Sequence, residues 1–533
     1  MSDIAQRSLQ SLPYGTSSFA ALRNAGQIYV DKTDLICRLA SERQKVFLSR
    51  PRRFGKSLLV STFEALFSSG TDLFHGLKAE KLWREAKRYQ VARLDFYLGE
   101  ISDYEQFDKR FSFMLRRSLK TLGFTTDSVT TEDIINAFAE WLADVPPDTL
   151  VLLIDEYDSP LTQTLTNRPL LDKVRSTLSA FFATLKSNDG AFRFVFITGI
   201  TKFNKLTVFS ALNNFWDITV TAEFSTLLGY TADEVKYYFR EHLARAADIH
   251  HTNIEDILFR LTKAYDGYSF DEFAAKRVFN PWSLLSYFKD PGAGCVNYWI
   301  ESGGMPSALM KYMKNHTLRD PSEYQAPRTV TRTRYTASAD PETLDDNILL
   351  AQTGYLTICA REESLLFLDY PNEEVREAMA QLYSEQLLKG LSPDEINSVS
   401  IARLMRSSTT DEVFAALNRL FASIDYSCYS KPVKESDIRN SLFVFFRGAG
   451  LPAAVEVHNA HGRSDLEVRA GKRHWVFEIK FVREGDNPDK KLEEAVGQIR
   501  SRDYGSGAQA DELIRMALVF GGKERKFIRR QTL

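Results

Sequence analysis

Two stretches of this chain carry side chains whose types and spacing suit work on phosphate. The first is Gly55-Lys56-Ser57, which follows the apolar run KVFLS (45–49) and opens an apolar-periodic helix expected over 57–68. Backbone amides at a helix start point at an anion, and Gly55 lets the chain approach it closely. Lys56 can reach the β and γ oxygens, and the Ser57 hydroxyl is a Mg²⁺ ligand. Its partner is LVLLID (150–155), an unbroken apolar run ending in Asp155-Glu156. An acidic pair at the carboxyl end of a buried strand sits where open parallel sheets bind ligands. There Asp155 would hold the metal through water and Glu156 would polarise an attacking water. The competing reading is that residues 155–158 merely cap the next helix. Thr198 ends FRFVFITG (192–199), either as a hydroxyl that reports on a terminal phosphate or as an ordinary strand-end threonine.

The second stretch is HGRSDLEVRAGKRHWVFEIKFV (461–482). With Gly471-Lys472 as a two-residue hairpin turn, Asp465 lies opposite Glu478, and Lys480 follows on the same face. Leu466, Val468, Trp475, Phe477 and Ile479 form the core side. Facing carboxylates repel unless a cation sits between them, and a divalent metal suits two oxygen donors. Lys480 beside it can orient water and offset charge on a phosphoryl group. The alternative is a solvated hairpin face of mixed charge, as Glu467 and Arg469 on that face illustrate. Arg463 and Lys472 are candidate backbone-phosphate contacts, while the tail GGKERKFIRRQ (521–531) reads as a solvated cationic terminus.

Arg50, Arg52 and Arg53 precede Lys56, so four cations stand within seven residues. They can neutralise a triphosphate or pair with neighbouring carboxylates. The usual phosphate-loop pattern has glycine where Arg50 stands.

These groups need a scaffold. Apolar runs at 45–49, 91–96, 150–155, 192–199 and 216–220 alternate with helical patterns at 57–68, 106–122, 131–143 and 170–187. That is the signature of a parallel sheet covered on both faces. Residues 230–313 read as mainly helical, and 314–346 as a polar connector or extended arm. A short αβ segment (347–369) and helices over 372–389, 393–404 and 409–424 follow. The last hundred residues alternate again: helix 434–448, a strand near 453–457, the hairpin, helix 489–503 and a strand at 516–520. The fold class is therefore α/β, in domains spanning 1–225, 226–313 (a helical lid), 314–430 (connector and joining helices) and 431–533.

The chain has 533 residues, 44% hydrophobic and 26% charged, with 68 Lys and Arg against 70 Asp and Glu. These values exclude wholesale disorder and a uniformly basic architectural protein, but not a local basic groove. Four scattered cysteines argue against a disulfide scaffold, and the sequence has no long apolar run, so a cytoplasmic protein without a membrane partner is expected.

Five blocks in order, LPYGTSSFAALR (12–23), YVDKT (29–33), SRPRRFGKSL (49–58), VLLIDEYDSPL (151–161) and FITGITKFNKLTVFSALNN (196–214), resemble the AAA-ATPase-like domain of bacterial and archaeal proteins. The resemblance implies an additional-strand, catalytic-glutamate P-loop ATPase that uses ATP and Mg²⁺. Nucleotide would be bound by Arg53, Gly55, Lys56, Ser57, Asp155 and Thr198, with Glu156 catalytic and Tyr29, Asp31 and Lys32 close to the pocket. The strings GRSDLEV (462–468), VFEIKF (476–481) and EEAVGQIRSRDYG (493–505) resemble the PD-(D/E)XK nuclease superfamily, a restriction-endonuclease-like α/β fold. That resemblance implies a Mg²⁺ site of Asp465 and Glu478 with Glu435 as the helix acid and Glu456 as its alternative. Lys480 and Gln498 would be catalytic, Tyr504 would belong to the same helix motif, and DNA would be the partner. A homo-oligomer would let a neighbour's arginine complete the ATPase site. The alternative function is a regulatory NTPase whose C-terminal fold is an inactive nucleic-acid or protein-binding platform.

Overall fold

The computed structural model describes residues 9–42, 44–202, 215–301, 321–337, 345–424, 433–508 and 510–533. The chain forms two compact units, 1–312 with 327–374 and 313–326 with 375–533.

In the first unit five parallel strands run in the order β2-β3-β4-β1-β5. They are β1 (Lys45–Ser49), β2 (Gln90–Asp95), β3 (Leu150–Asp155), β4 (Phe192–Gly199) and β5 (Phe215–Asp217). Every residue of β3 and β4 is buried, which is why their sequences are apolar throughout instead of alternating. β4 lies between β1 and β3, pairing Leu48 with Thr198 and Ile154 with Ile197. The strand of the Gly-Lys-Ser loop and the strand of the acidic pair are thus two spacings apart, about 10 Å. β5 stops at Asp217, short of the 216–220 run, because Asp217 Oδ1 accepts the Thr219 amide and turns the chain.

Crossover helices cover the sheet. Lys56–Ser69 sets Phe63 against Phe194 and Phe196, and Tyr104–Leu119 sets Phe111 against Phe96. Asp103 and Thr130 cap the helices that follow them. A helical cluster comes next, comprising Ala232–Tyr238, Arg240–Ile249, Ile254–Tyr265 and Pro281–Lys289. Its core is built on Val235, Phe239, Leu243, Leu261 and Phe288, and includes Ile28 and Val30 from the N-terminal segment.

The expected connector is partly structured. Arg328–Thr331 forms β6 in a three-stranded sheet, β6-β8-β7, with β7 at Thr357–Glu362 and β8 at Leu365–Asp369. Its only buried residue is Val330, paired with Leu366; one apolar residue in four leaves no periodicity to read. Residues 314–320 and 338–344 lie outside the described residues.

In the second unit the expected helix 393–404 is two helices, Pro393–Asn397 and Ile401–Ser407, broken at Ser398 with φ 55°. Thr410–Ser423 and Glu435–Gly448 follow. The sheet order is β13-β12-β11-β10-β9, from β9 (Ala453–Asn459), β10 (Gly462–Ala470), β11 (Arg473–Val482), β12 (Glu512–Gly521) and β13 (Lys526–Thr532). Only β11 and β12 are parallel, joined by the helix Pro488–Arg502. The β10–β11 register pairs Leu466 with Phe477 and Ala470 with Arg473 across the Gly471-Lys472 turn, as expected. The tail does not end in solvent. β13 pairs with β12, buries Phe527 and ties Arg529 to Asp489 (2.7 Å). Its high charge hides an edge strand, where outward cations are usual.

Candidate functional sites

The Gly-Lys-Ser loop turns on Gly55, the helix N-cap, at φ 91°, where a side chain would be strained. Lys56 begins the helix, is buried, and donates to the carbonyls of Arg50 (3.0 Å) and Pro51 (2.8 Å). Burial pushes its ammonium below the ordinary lysine value, and Glu156, Asp155 and Asp158 pull it back. The loop lysine and the acidic strand end therefore share one electrostatic site. Ser57 follows within the first turn, half-buried.

The three arginines separate. Arg50 is buried and donates to the Ser49 (2.9 Å) and Thr219 (2.6 Å) carbonyls, with its guanidinium 4.1 Å from the Phe270 ring centroid. It fixes the loop entrance, so an arginine in place of the usual glycine serves the scaffold. Arg53 has φ 67° and stacks its guanidinium on Trp282 at 4.2 Å. Trp282 in turn lies 4.6 Å from Tyr14. Arg53 also feels Glu156 and Arg52, so the loop arginine is poised between the acidic pair and the Trp282 helix.

At the end of β3, Asp155 is buried, accepts the Glu156 amide (3.1 Å), and has Arg93 of β2 at 3.7 Å. Glu156 adopts φ 50°, a strained conformation for a non-glycine residue. Burial raises its carboxyl to about 7, with Asp155 and Asp158 adding and Lys56 and Arg52 opposing. A carboxyl poised near neutrality suits general-base work. Asp158 does not cap its own helix. Its carboxylate accepts from Ile200 N (3.2 Å), Thr201 N (2.7 Å) and Thr201 Oγ1 (2.5 Å), while Tyr157 Oη donates to Thr201 O (2.8 Å). Residues 157 and 158 thus clamp the loop leaving β4. Thr198, at the end of that strand, is buried, and its Oγ1 has no hydrogen-bond partner among the described residues. An orphaned hydroxyl at this strand end, where the Thr198 carbonyl accepts the Tyr157 amide (3.1 Å), would suit a phosphate oxygen.

The residues of YVDKT hold the surrounding scaffold together. Asp31 accepts from Thr33 and from the Lys78 amide (2.8 Å), Lys32 pairs with Glu234 (2.6 Å), and burial raises the Tyr29 phenol. Of the block 196–214, residues 203–214 lie outside the described residues, and Lys202 pairs with Asp217.

In the second unit, Asp465 Oδ2 accepts the Ile479 amide (2.8 Å) across the hairpin. Glu478 is buried and bonded to Lys480 Nζ (2.9 Å), and its Oε2 has no partner among the described residues. Burial, then Asp465, raises the Glu478 carboxyl to about 7 against the pull of Lys480. Burial opposes ionisation of Lys480, yet Glu478, Glu435 and Asp465 together raise it. Glu435 joins from its helix, with Oε1 3.9 Å from Lys480 Nζ and Oε2 accepting the Phe481 amide (3.2 Å). Among the described residues no group of three or more His, Cys, Asp or Glu side chains is placed to hold a metal ion, and Lys480 and backbone amides are the neighbours of these acids. The orphaned Glu478 oxygen beside Asp465 nevertheless fits a divalent cation, which would relieve both burial and repulsion.

Glu456, the alternative acid, is instead bridged to Arg439 (2.7 Å) and Arg463 (3.0 Å), while Lys472 pairs with Asp511. The face carrying Glu478 is not a solvated one. Val476 is buried against Ala495, Val496, Ile499 and Tyr504 of the Pro488–Arg502 region. Tyr504 is therefore core, whereas Gln498 keeps a buried Oε1 without a partner among the described residues. Sequence reasoning missed the Asp158 clamp, Arg93 and Trp282. Asp158 stands in the acidic run 155–158, whose pattern suggests a helix cap and gives no sign of the clamp.

A parallel sheet with a Gly-Lys-Ser loop on one strand and an acidic pair two strands away defines a P-loop ATPase-like module. A mixed sheet carrying Asp465 and Glu478-Ile479-Lys480 defines a domain of the nuclease superfamily. In agreement, residues 13–209 match the family model described as a predicted AAA-ATPase, and residues 433–530 match that of the PD-(D/E)XK nuclease superfamily. The chain is also 29% identical over 490 residues to a protein of Azotobacter chroococcum mcd 1 described as "Uncharacterized protein in vnfD 5'region". That match covers 89% of this chain and 90% of the relative. Among the described residues no helix is long and apolar enough to cross a membrane.

Proposed function

We propose that the N-terminal module binds and hydrolyses ATP with Mg²⁺, and that its nucleotide state licenses a C-terminal Mg²⁺-dependent phosphodiesterase acting on DNA. The observation that carries this reading is a pair of buried oxygens without partners among the described residues: Thr198 Oγ1, at the end of the strand that lies between β1 and β3, and Glu478 Oε2, beside Lys480 and Asp465. Lys56 and the amides after Gly55 would hold phosphate. Ser57 and Asp155 would be the metal's donors, and Glu156 would accept a proton from water, aided by a carboxyl raised to about 7. In the second unit Asp465 and Glu478 would be the cation's donors, and the cation would supply Lewis acidity. Lys480 would orient water and balance charge, with Glu435 and Gln498 positioning the group.

Lys56→Ala should abolish ATP turnover. Asp465→Ala should abolish Mg²⁺-dependent cleavage of plasmid DNA while sparing turnover. Glu156→Gln should bind ATP and stall. Wild-type protein that hydrolyses ATP yet leaves DNA and RNA intact in Mg²⁺ and Mn²⁺ would favour the regulatory NTPase with a binding platform, a reading supported by the occupancy of Glu478 by Lys480.

A further inference from the structure

The helix Pro488–Arg502 contributes Ala495, Val496 and Ile499 to the core beneath Val476 and Ala517. Beside that apolar stripe, Lys491, Gln498 and Arg502 recur at spacings of seven and four, which stacks them on one face within about 40° of helix rotation. The row extends for about 16 Å at 1.5 Å per residue. The stripe packs under Val476, which shares a face of β11 with Glu478 and Lys480, so this helix lies against the face that carries the acidic cluster.

Arg502 is held in place. Its Nη1 donates to Tyr504 Oη (2.9 Å), and its carbonyl accepts from Asn459 Nδ2 (2.7 Å). Its stem crosses the start of β10 at Gly462, where a Cβ would come within 2.7 Å of Arg502 Cδ. Among the described residues Arg502 has no carboxylate partner. A guanidinium anchored by a phenol hydroxyl, with no carboxylate against it, keeps its charge available to an anion. Lys491 pairs at the surface with Glu494 (2.8 Å), an exchangeable contact in water. Gln498 lies between them along the helix, its Oε1 without a partner among the described residues.

We propose that this row is a phosphate track, in which Lys491 and Arg502 grip the DNA backbone on either side of the Asp465–Glu478 cluster. The inference rests on the nuclease reading and adds to it the residues that seat the substrate. They would confer affinity and register without sequence preference.

The test is binding of a short fluorescein-labelled DNA duplex to the full-length protein in EDTA, by anisotropy across a KCl series, so that cleavage plays no part. Arg502→Ala and Lys491→Ala should each weaken binding several-fold and reduce the slope of log affinity against log salt by about 0.9. Arg502→Lys should restore the slope. Lys491 lies on the helix surface, so its variant keeps the test meaningful if Arg502→Ala fails to fold. Unchanged slopes in both alanine variants, with wild-type binding intact, would overturn the track alone. Wild-type protein that shows no salt-dependent binding would overturn the nucleic-acid reading on which the track stands.

Discussion

Asp158 gives the N-terminal unit its most quantitative test. Its buried carboxylate receives two backbone amides and one hydroxyl from Ile200 and Thr201. In Asp158→Ala these three donors lose their acceptor in a site closed to water, at a cost of roughly 1–3 kcal/mol each. The desolvation of the charge is recovered at the same time, so the net loss should be about 3–5 kcal/mol. Asp158→Asn keeps the oxygen that serves both Thr201 donors and one branch of the Ile200 N bond, but sets an amide donor against the other branch, for about 1–2 kcal/mol. Urea unfolding with hydrogen exchange of the 192–201 amides would measure both values for the unit that contains them. ATP turnover should fall in the same order, because the clamp sets the strand end that carries Thr198. The acid limb of its pH profile should also move lower, since Asp158 is one of the charges holding the Glu156 carboxyl up. An alanine variant within 0.5 kcal/mol of wild type, with normal turnover, would refute the clamp.

The Glu478 carboxyl is raised from 4.5 to about 7, so between those values the folded chain keeps a proton that the unfolded chain releases. The stability it contributes is therefore full below the unfolded value and lost as pH rises toward 7, by about 3 kcal/mol. Glu478→Gln should flatten that slope in hydrogen exchange of the β11 amides and abolish cleavage; an unchanged slope would remove the acid from its buried site. At the nucleotide loop, adding ATP with Mg²⁺ should change the emission of Trp282 as Arg53 leaves its ring for phosphate. The change should vanish in Trp282→Phe and in Arg53→Ala, whereas a change that persists in both would show that other tryptophans report it and that Arg53 does not leave the Trp282 ring for phosphate.

Much of this architecture was legible because burial imposes itself on long apolar runs. β1, β3, β4 and the Gly471-Lys472 hairpin were readable from periodicity alone. The partners of the key side chains were not. Whether Arg53 meets phosphate, a carboxylate or Trp282 depends on a helix more than two hundred residues later, and nothing local encodes it. β13 escaped for another reason: an edge strand buries little, so Phe527 stands among arginines and lysines that look solvated. β6 is shorter than the window any pattern needs. Asp158 was hidden by its neighbours, since an acidic run after a strand advertises a cap while its side chain serves another strand's exit.

The arginine at the loop entrance carries one further consequence. Riveted to the carbonyls of Ser49 and Thr219 and roofed by Phe270, the first half of the loop is a stiff abutment. The stretch from Arg52 to Gly55 follows it, with Arg53 leaning on Trp282. If the loop shifts when nucleotide binds, as proposed, the contact of Arg53 with Trp282 would carry that shift toward the Pro281–Lys289 helix.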